Sequence, residues 1–362
     1  MADKVALVHY WLTNMRGGEN VLAEIASLYP DADIFTHACN TRVMAPVFGG
    51  RRITETFIGK LPGARKNCQK YLPLMPAALR MLDLKNYDLI ISSESGPAKG
   101  IRKPSGARHI CYCHTPMRYL WDMYDEYYRN AGLAGKAAMR IFGDCLRRYD
   151  RRSAESVDLF IANSKFVAER IKRIYNRESV VVHPPADYDF FAGGRFEKKD
   201  YYLLAGQLTA YKRPELAVEA CLALGRKLVV VGCGEMEREL KRRAAGRGIF
   251  LGRVSRETLR RCYAEARALL FPGVEDFGIV PLEAQSAGTP VIALGVGGAC
   301  ETVVNGETGL FFRKPAVEDL REAILEFERC TWSSEACRKN AARFTPNCFR
   351  KRFAAAAANV EA

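Results

Sequence analysis

Residues 268–301 read ALLFPGVEDFGIVPLEAQSAGTPVIALGVGGACE. The run 268–271 is apolar without alternation, as expected of a strand buried on both faces of a parallel sheet. Gly278-Ile279-Val280-Pro281 then reads as a loop turning into a helix whose first turn carries Pro281 and Glu283, and 290–293 begins a second strand. The stretch is therefore one strand–helix–strand unit, with its longest polar loop directly after a strand. Similar apolar runs recur at 4–11, 33–37, 87–92, 107–113, 157–163 and 179–183, and again at 201–206, 227–232, 249–251 and 309–312. Helix-like stretches separate them. The chain is α/β throughout.

His183-Pro184-Pro185-Ala186-Asp187, Gly193-Gly194-Arg195 and Glu197-Lys198-Lys199-Asp200 interrupt this alternation, and prolines bar both helix and inner strand. They divide the chain into domains at 1–185 and 186–345. Each half is expected to be a Rossmann-like domain with a parallel sheet, the two facing one another across a cleft. Ligands in such sheets bind beyond the carboxyl ends of the strands, so chemistry is sought in the loops that follow them.

The 362 residues are about two domains' worth, and 48% hydrophobic with 27% charged residues is an ordinary globular composition. No apolar run reaches the length of a spanning helix, and Met1-Ala2-Asp3-Lys4 leads into Val5 without a signal pattern. A cytoplasmic protein is expected. The twelve scattered cysteines, with no C-x-x-C, read as reduced thiols, and the five histidines show no metal-ligand spacing. Neither metal nor cofactor is expected.

The net charge of +14 is uneven, because residues 51–152 hold 20 basic and 9 acidic side chains. Nucleic acid, anionic lipid or a phosphorylated substrate suits such a patch, as does a bare solvated face. Lys60, Arg65, Lys66, Lys70 and Arg80 alternate with Phe57, Leu61, Tyr71, Leu72, Leu74, Met75 and Leu79. That mixture suits an anionic membrane surface, or else a helical hairpin packing its apolar side inward.

A helix start such as that at Gly278 offers free backbone N–H groups and a positive dipole end to a diphosphate. A carboxylate one turn in can accept two adjacent ribose hydroxyls. Glu283 fits that role, or that of a stabilising acid in the first turn. Here the string resembles a known signature. Glu275 and Glu283 in an E-x7-E with interior Phe277-Gly278, followed by A-x-x-x-G-x-P-V-I-A and Gly297-Gly298-x-x-Glu301, look like the retaining GT-B glycosyltransferases of family 4. YLLAGQLTAYKRPELAVEA at 202–220 resembles the first strand and phosphate loop of that family's nucleotide domain. HICYCHTPMRYLWD at 109–122 resembles a segment of its O-antigen-type mannosyl and rhamnosyl transferases. Arg16-Gly17-Gly18-Glu19 matches the glycine loop after the first strand, and Gly252-Arg253-Val254-Ser255 the loop under the nucleobase.

The resemblance implies that Lys212 neutralises a departing diphosphate, with Arg213 beside it, while Gln207 stands where the family usually has arginine. It further implies that His114 faces the transferred sugar and Glu275 holds its hydroxyls. Asp276, Phe277, Gly278, Ile279 and Val280 supply backbone amides, Gly17 and Gly18 allow close approach, and Glu283 takes the ribose. The implied reaction is metal-independent retaining transfer of a hexosyl group, mannosyl from GDP-mannose first and rhamnosyl or a UDP-sugar second. The basic and apolar stretch from Phe57 to Arg80 leads to the expectation that the acceptor is a saccharide on a polyprenyl diphosphate, at the inner face of the cell membrane. The helix after Phe344-Thr345-Pro346, with Phe349, Phe353 and five alanines (346–362), is expected to cross back to the N-terminal domain. That domain is expected to take the acceptor, and the second domain the nucleotide sugar.

Two D-x-D matches, Asp31-Ala32-Asp33 and Asp187-Tyr188-Asp189, read as incidental. An NAD-dependent oxidoreductase is a rival, because Gly232-Cys233-Gly234 is a partial dinucleotide fingerprint; it fails at the third glycine, where Glu237 stands. A sugar-nucleotide epimerase of the same fold would turn over its substrate without an acceptor. Nucleic-acid binding rests on charge alone, with no recognised module.

Overall fold

The computed structural model describes residues 4–194 and 196–361; Arg195, and Met1 to Asp3 of the N-terminal reading, lie outside them. The chain forms two compact units, Met1–His183 with Phe349–Ala362, and Pro184–Cys348.

The first unit carries a seven-stranded sheet: β1 (Val5–His9), β2 (Asp33–Thr36), β3 (Ile53–Glu55), β4 (Leu89–Glu94), β5 (Arg108–Cys113), β6 (Leu159–Ala162) and β7 (Ser179–Val181), in the order β3-β2-β1-β4-β5-β6-β7. Every pairing is parallel. β1 and β4 are buried along their whole length, as strands covered by helices on both faces must be. The last helix, Pro346–Glu361, places Phe349, Phe353, Ala356 and Ala357 in this unit's core, where Phe349 meets Tyr112 edge to face at 5.7 Å. Arg350 pairs with Glu24 beside it.

The second unit carries six parallel strands: β8 (Tyr202–Ala205), β9 (Leu228–Val231), β10 (Gly248–Gly252), β11 (Ala268–Phe271), β12 (Val291–Leu294) and β13 (Gly309–Phe312), in the order β10-β9-β8-β11-β12-β13. Apolar clusters cover both of its faces. In both sheets the strand order reverses at one place, between β1 and β4 and between β8 and β11. A crevice opens at such a point because the connections leave in opposite directions.

Three expectations are corrected. β3 was not anticipated: three half-buried residues at a sheet edge, after Arg51-Arg52, present no apolar run. The strand expected at 87–92 runs from Leu89 to Glu94, because Tyr87 closes a turn onto Leu84, and Ser93 and Glu94 thereby join the sheet. The apolar side chains of 57–80 mostly turn inward, with Ile58, Cys68, Met75 and Ala78 buried and Phe57, Leu61, Tyr71 and Leu72 packed on them. Leu74 remains exposed.

Candidate functional site

The second unit's crevice is built by the loops after β8 and β11. Lys212 ends a short 3-10 turn (Ala210–Lys212), and its Nζ lies 2.8 Å from Glu275 Oε1. Neither side chain is fully covered: 22% of Lys212 and 16% of Glu275 remain exposed. Two glycines permit the approach. A Cβ on Gly273 would stand 2.6 Å from Lys212 Cα, and Gly206, at φ +133°, faces Lys212 Nζ. Gln207, Lys212 and Glu275 line one small hollow with Pro214 and Pro272. Arg213, in the left-handed conformation, joins the 3-10 turn to the helix Pro214–Ala223.

The partial dinucleotide fingerprint has another explanation. A Cβ on Gly232 would stand 1.9 Å from the Gly206 carbonyl, and one on Gly234 would stand 2.3 Å from that of Leu208. These glycines let the Gln207 loop lie against the turn after β9.

Gly278, at φ +91°, starts the helix Ile279–Ser286. Pro281 is in its first turn, but Glu283 is its fifth residue, and the first turn holds no acid. Glu283 is therefore not a first-turn acid, and its sequence reading is corrected on that point. Its carboxylate accepts a hydrogen bond from Tyr263 Oη at 2.9 Å. Burial outweighs that bond and the nearby Arg256, pushing the Glu283 carboxyl up to about 7. The loop ahead of this helix rests on Gly297 and Gly298: Gly298 N donates to the Glu275 carbonyl at 2.8 Å, and a Cβ on Gly298 would stand 2.2 Å from Phe277 Cα. Asp276 and Phe277 are buried, Phe277 against Phe344, while Ile279 and Val280 pack on two separate apolar clusters. Gly252 (φ +64°) ends β10, its carbonyl taking the Gly232 N–H. Arg253 reaches toward Cys233, and Val254 packs inward.

In the first unit, Gly17 and Gly18 are the first residues of the helix Gly17–Leu28 and do not form a loop. Glu19 accepts from Arg16 N at 3.1 Å and stands 3.9 Å from His9 Nε2. His114 follows β5. Ser93 Oγ lies 2.9 Å from His114 Nε2 and 3.2 Å from His9 Nδ1, so one hydroxyl proton couples the two rings. Desolvation, reinforced by His9, lowers His114 to about 3, so the ring is neutral at physiological pH. A Cβ on Gly18 would stand 2.8 Å from Tyr10 Oη and 3.6 Å from His114 Nε2.

The segment after His114 is fixed by charge. Asp122 pairs with Arg170 and Arg173, Arg170 Nη1 donates to Thr115 Oγ1 at 3.1 Å, and Trp121 Nε1 donates to Asp150 Oδ2 at 2.7 Å. Asp150 belongs to a fully buried group in which Lys99 Nζ meets Asp150, Glu94 Oε1 at 2.9 Å and Tyr175 Oη at 3.3 Å. Burial disfavours the Lys99 charge, but Asp150 and Glu94 outweigh it and hold the ammonium well above its ordinary range.

Sequence reading did not single out Tyr10, His9, Ser93, Tyr263 or the Lys99 group. Glu19 stood inside the quoted glycine motif without a role. The two D-x-D pairs have structural uses: Asp33 accepts from Tyr87, while Asp187 caps the helix Tyr188–Ala192 and pairs with Arg256.

The sequence profile described as glycosyl transferases group 1 matches residues 185–344, and that of Glycosyltransferase Family 4 matches residues 15–190. The chain belongs to the group 1/family 4 glycosyltransferases. It is similar to the D-inositol 3-phosphate glycosyltransferase of Kribbella flavida, at 29% identity over 86% of this chain and 82% of the relative. It is also similar to that of Mycobacteroides abscessus, at 31% over 49% of this chain and 46% of the relative. The chain thus spans only about half the length of several curated relatives that it matches. Among solved structures, Anabaena HepE in complex with UDP and glucose shares the fold, with a TM-score of 0.69 at 17% identity over 98% of this chain and 99% of that one. The two parallel-sheet units are those of a GT-B glycosyltransferase.

Proposed function

We propose that this glycosyltransferase moves a hexosyl group, with retention and without a metal, from a nucleotide sugar to a lipid-linked saccharide. The observation that carries the reading is the Lys212–Glu275 pair, held at 2.8 Å where the β8–β11 order reverses, one loop ahead of a helix N-terminus. Lys212 and the amides at Gly278 to Val280 stabilise charge growing on the leaving diphosphate, while Glu275 and Glu283 accept hydroxyls of sugar and ribose. Gln207 donates a hydrogen bond to phosphate where a cation is absent, and Arg213 supplies the second charge. The base rests against the Gly252-Arg253-Val254 turn.

The first unit takes the acceptor. Neutral His114, coupled through Ser93 to His9, offers a ring hydrogen bond toward the transferred sugar, and the Gly17–Gly18 helix start offers its N–H groups. The sugar leaves through an oxocarbenium-like transition state, and the diphosphate takes the acceptor's proton on the same face. GDP-mannose is the first donor to test, on the strength of residues 109–122. The relatives' name, D-inositol 3-phosphate glycosyltransferase, gives a second reading, which is separated by offering inositol 3-phosphate in place of the lipid-linked saccharide and looking for product.

A thermal-shift screen of GDP, UDP, ADP and dTDP sugars tests the donor, since a binder at 100 times its dissociation constant stabilises by about 2.7 kcal/mol. GDP-mannose is expected to give the largest shift, with product formed on a polyprenyl-diphosphate saccharide. No shift with any nucleotide sugar would refute the reading.

A further inference from the structure

The helix Leu133–Ala154 is covered along only part of its length. In its first half Leu133, Ala134, Ala137, Ala138, Ile141 and Phe142 are all exposed; Leu133 retains 89% and Ile141 70% of its surface. Their spacing places them on one side of the helix, where large apolar groups stand in water. Lys136 and Arg140 flank that side, stacked over Tyr128. Further along the same stripe come Arg148 and Arg152, both exposed. Arg152 lies about 15 Å beyond Phe142, at 1.5 Å per residue.

Arg152 also lines an open pocket of about 440 Å³ with Arg80, Arg102, Tyr149, Ser153 and Ser156. No carboxylate lines it. Its hydroxyls are engaged, Ser153 with the Asp150 carbonyl, Ser156 with that of Ser153 and Tyr149 with that of Gly100, so three guanidinium groups dominate its charge. The close packing of Tyr149 depends on glycine at 100, where a Cβ would stand 1.6 Å from the phenol oxygen.

We propose that this helix and its arginine pocket form a docking site for an anionic phospholipid bilayer. The Leu133–Phe142 side enters the headgroup–acyl boundary, and Arg80, Arg102 and Arg152 receive lipid phosphate. An apolar half continued by a cationic half, with only Asp144 as an exposed acid on the helix and that one paired with Arg147, matches such a surface in polarity and sign. The assignment replaces the 57–80 stretch, whose apolar groups are spent inside. It deepens the lipid-linked acceptor reading, and rests on that reading only for its purpose.

The test is co-sedimentation of the full chain, at low salt, with phosphatidylcholine vesicles carrying either none or about 30% phosphatidylglycerol. Wild type is expected to bind the anionic vesicles only. Ile141→Ser with Phe142→Ser should weaken binding more than about tenfold. Arg80→Gln, Arg102→Gln and Arg152→Gln together should weaken it roughly a hundredfold. Unchanged binding by either variant, no binding by wild type, or a change of oligomer mass in the serine variant would overturn the proposal, the last by assigning the face to a second copy. Thermal melts establish that both variants fold. Donor-induced stabilisation, read without lipid, separates the two claims: its loss in wild type sinks the transfer reading alone, and failure on vesicles sinks the surface alone.

Discussion

Lys212 and Glu283 act on different parts of the proposed donor, so their variants should fail differently. Lys212→Ala removes a cation placed for the departing diphosphate and should cost roughly 3 kcal/mol of transition-state stabilisation, seen as a fall in kcat. Near-normal turnover would contradict its role. In its proposed role Glu283 accepts the ribose hydroxyls most strongly as a carboxylate, and its folded value of about 7 lies above that of the unfolded chain. Between ordinary glutamate pH and about 7, the folded form holds a proton that the unfolded form lacks, so this group's contribution to stability declines as pH rises through that window. Donor affinity runs the opposite way. It should weaken below pH 7 by up to about tenfold per unit, and Glu283→Gln should bind weakly with a flat profile. Calorimetric titration from pH 5.5 to 8, about the window where the group changes charge, checks both.

At the scale of elements, the glycine helix and the buried lysine group support the part of the first unit proposed to meet the sugar and its acceptor. Gly18→Ala adds a carbon 2.8 Å from Tyr10 Oη and beside His114, yet alanine favours a helix. Turnover should therefore drop by tenfold or more while the melting temperature holds, since about 1 Å of misplacement is enough to slow catalysis a hundredfold. Equal loss of both would point to a packing role only. Lys99→Met strands Glu94 and Asp150 in the interior and should cost about 3–5 kcal/mol in urea unfolding of the first unit.

The elements were largely legible because strands buried on both faces must be apolar throughout: β8, β9 and β11 each announce themselves, and β3, an edge strand, does not. The loops were legible where a motif has fixed spacing, as from Glu275 to Glu283. Ser93, Tyr10 and Tyr263 were not, because each meets its partner across strands or helices distant in sequence, and a lone serine or tyrosine carries no local pattern. Gly232 and Gly234 mimic part of a dinucleotide fingerprint because close backbone approach needs glycine whatever lies beyond it.

At the scale of the molecule, the chain's last helix completes the core of the unit with which the sequence begins. Phe353 is wholly buried there. Phe353→Ala should cost about 3–5 kcal/mol and lower the first unit's unfolding transition, leaving nucleotide binding by the second unit intact at low temperature. Concerted loss of both would show that the units do not unfold separately. The central claim is that Lys212 meets the donor's diphosphate, and phosphorus NMR of bound nucleoside diphosphate reads that contact most directly. Titrating wild type should move the terminal phosphorus resonance to a new position, and folded Lys212→Ala should leave it near its free value under the same conditions. An identical displacement with both proteins would contradict the claim.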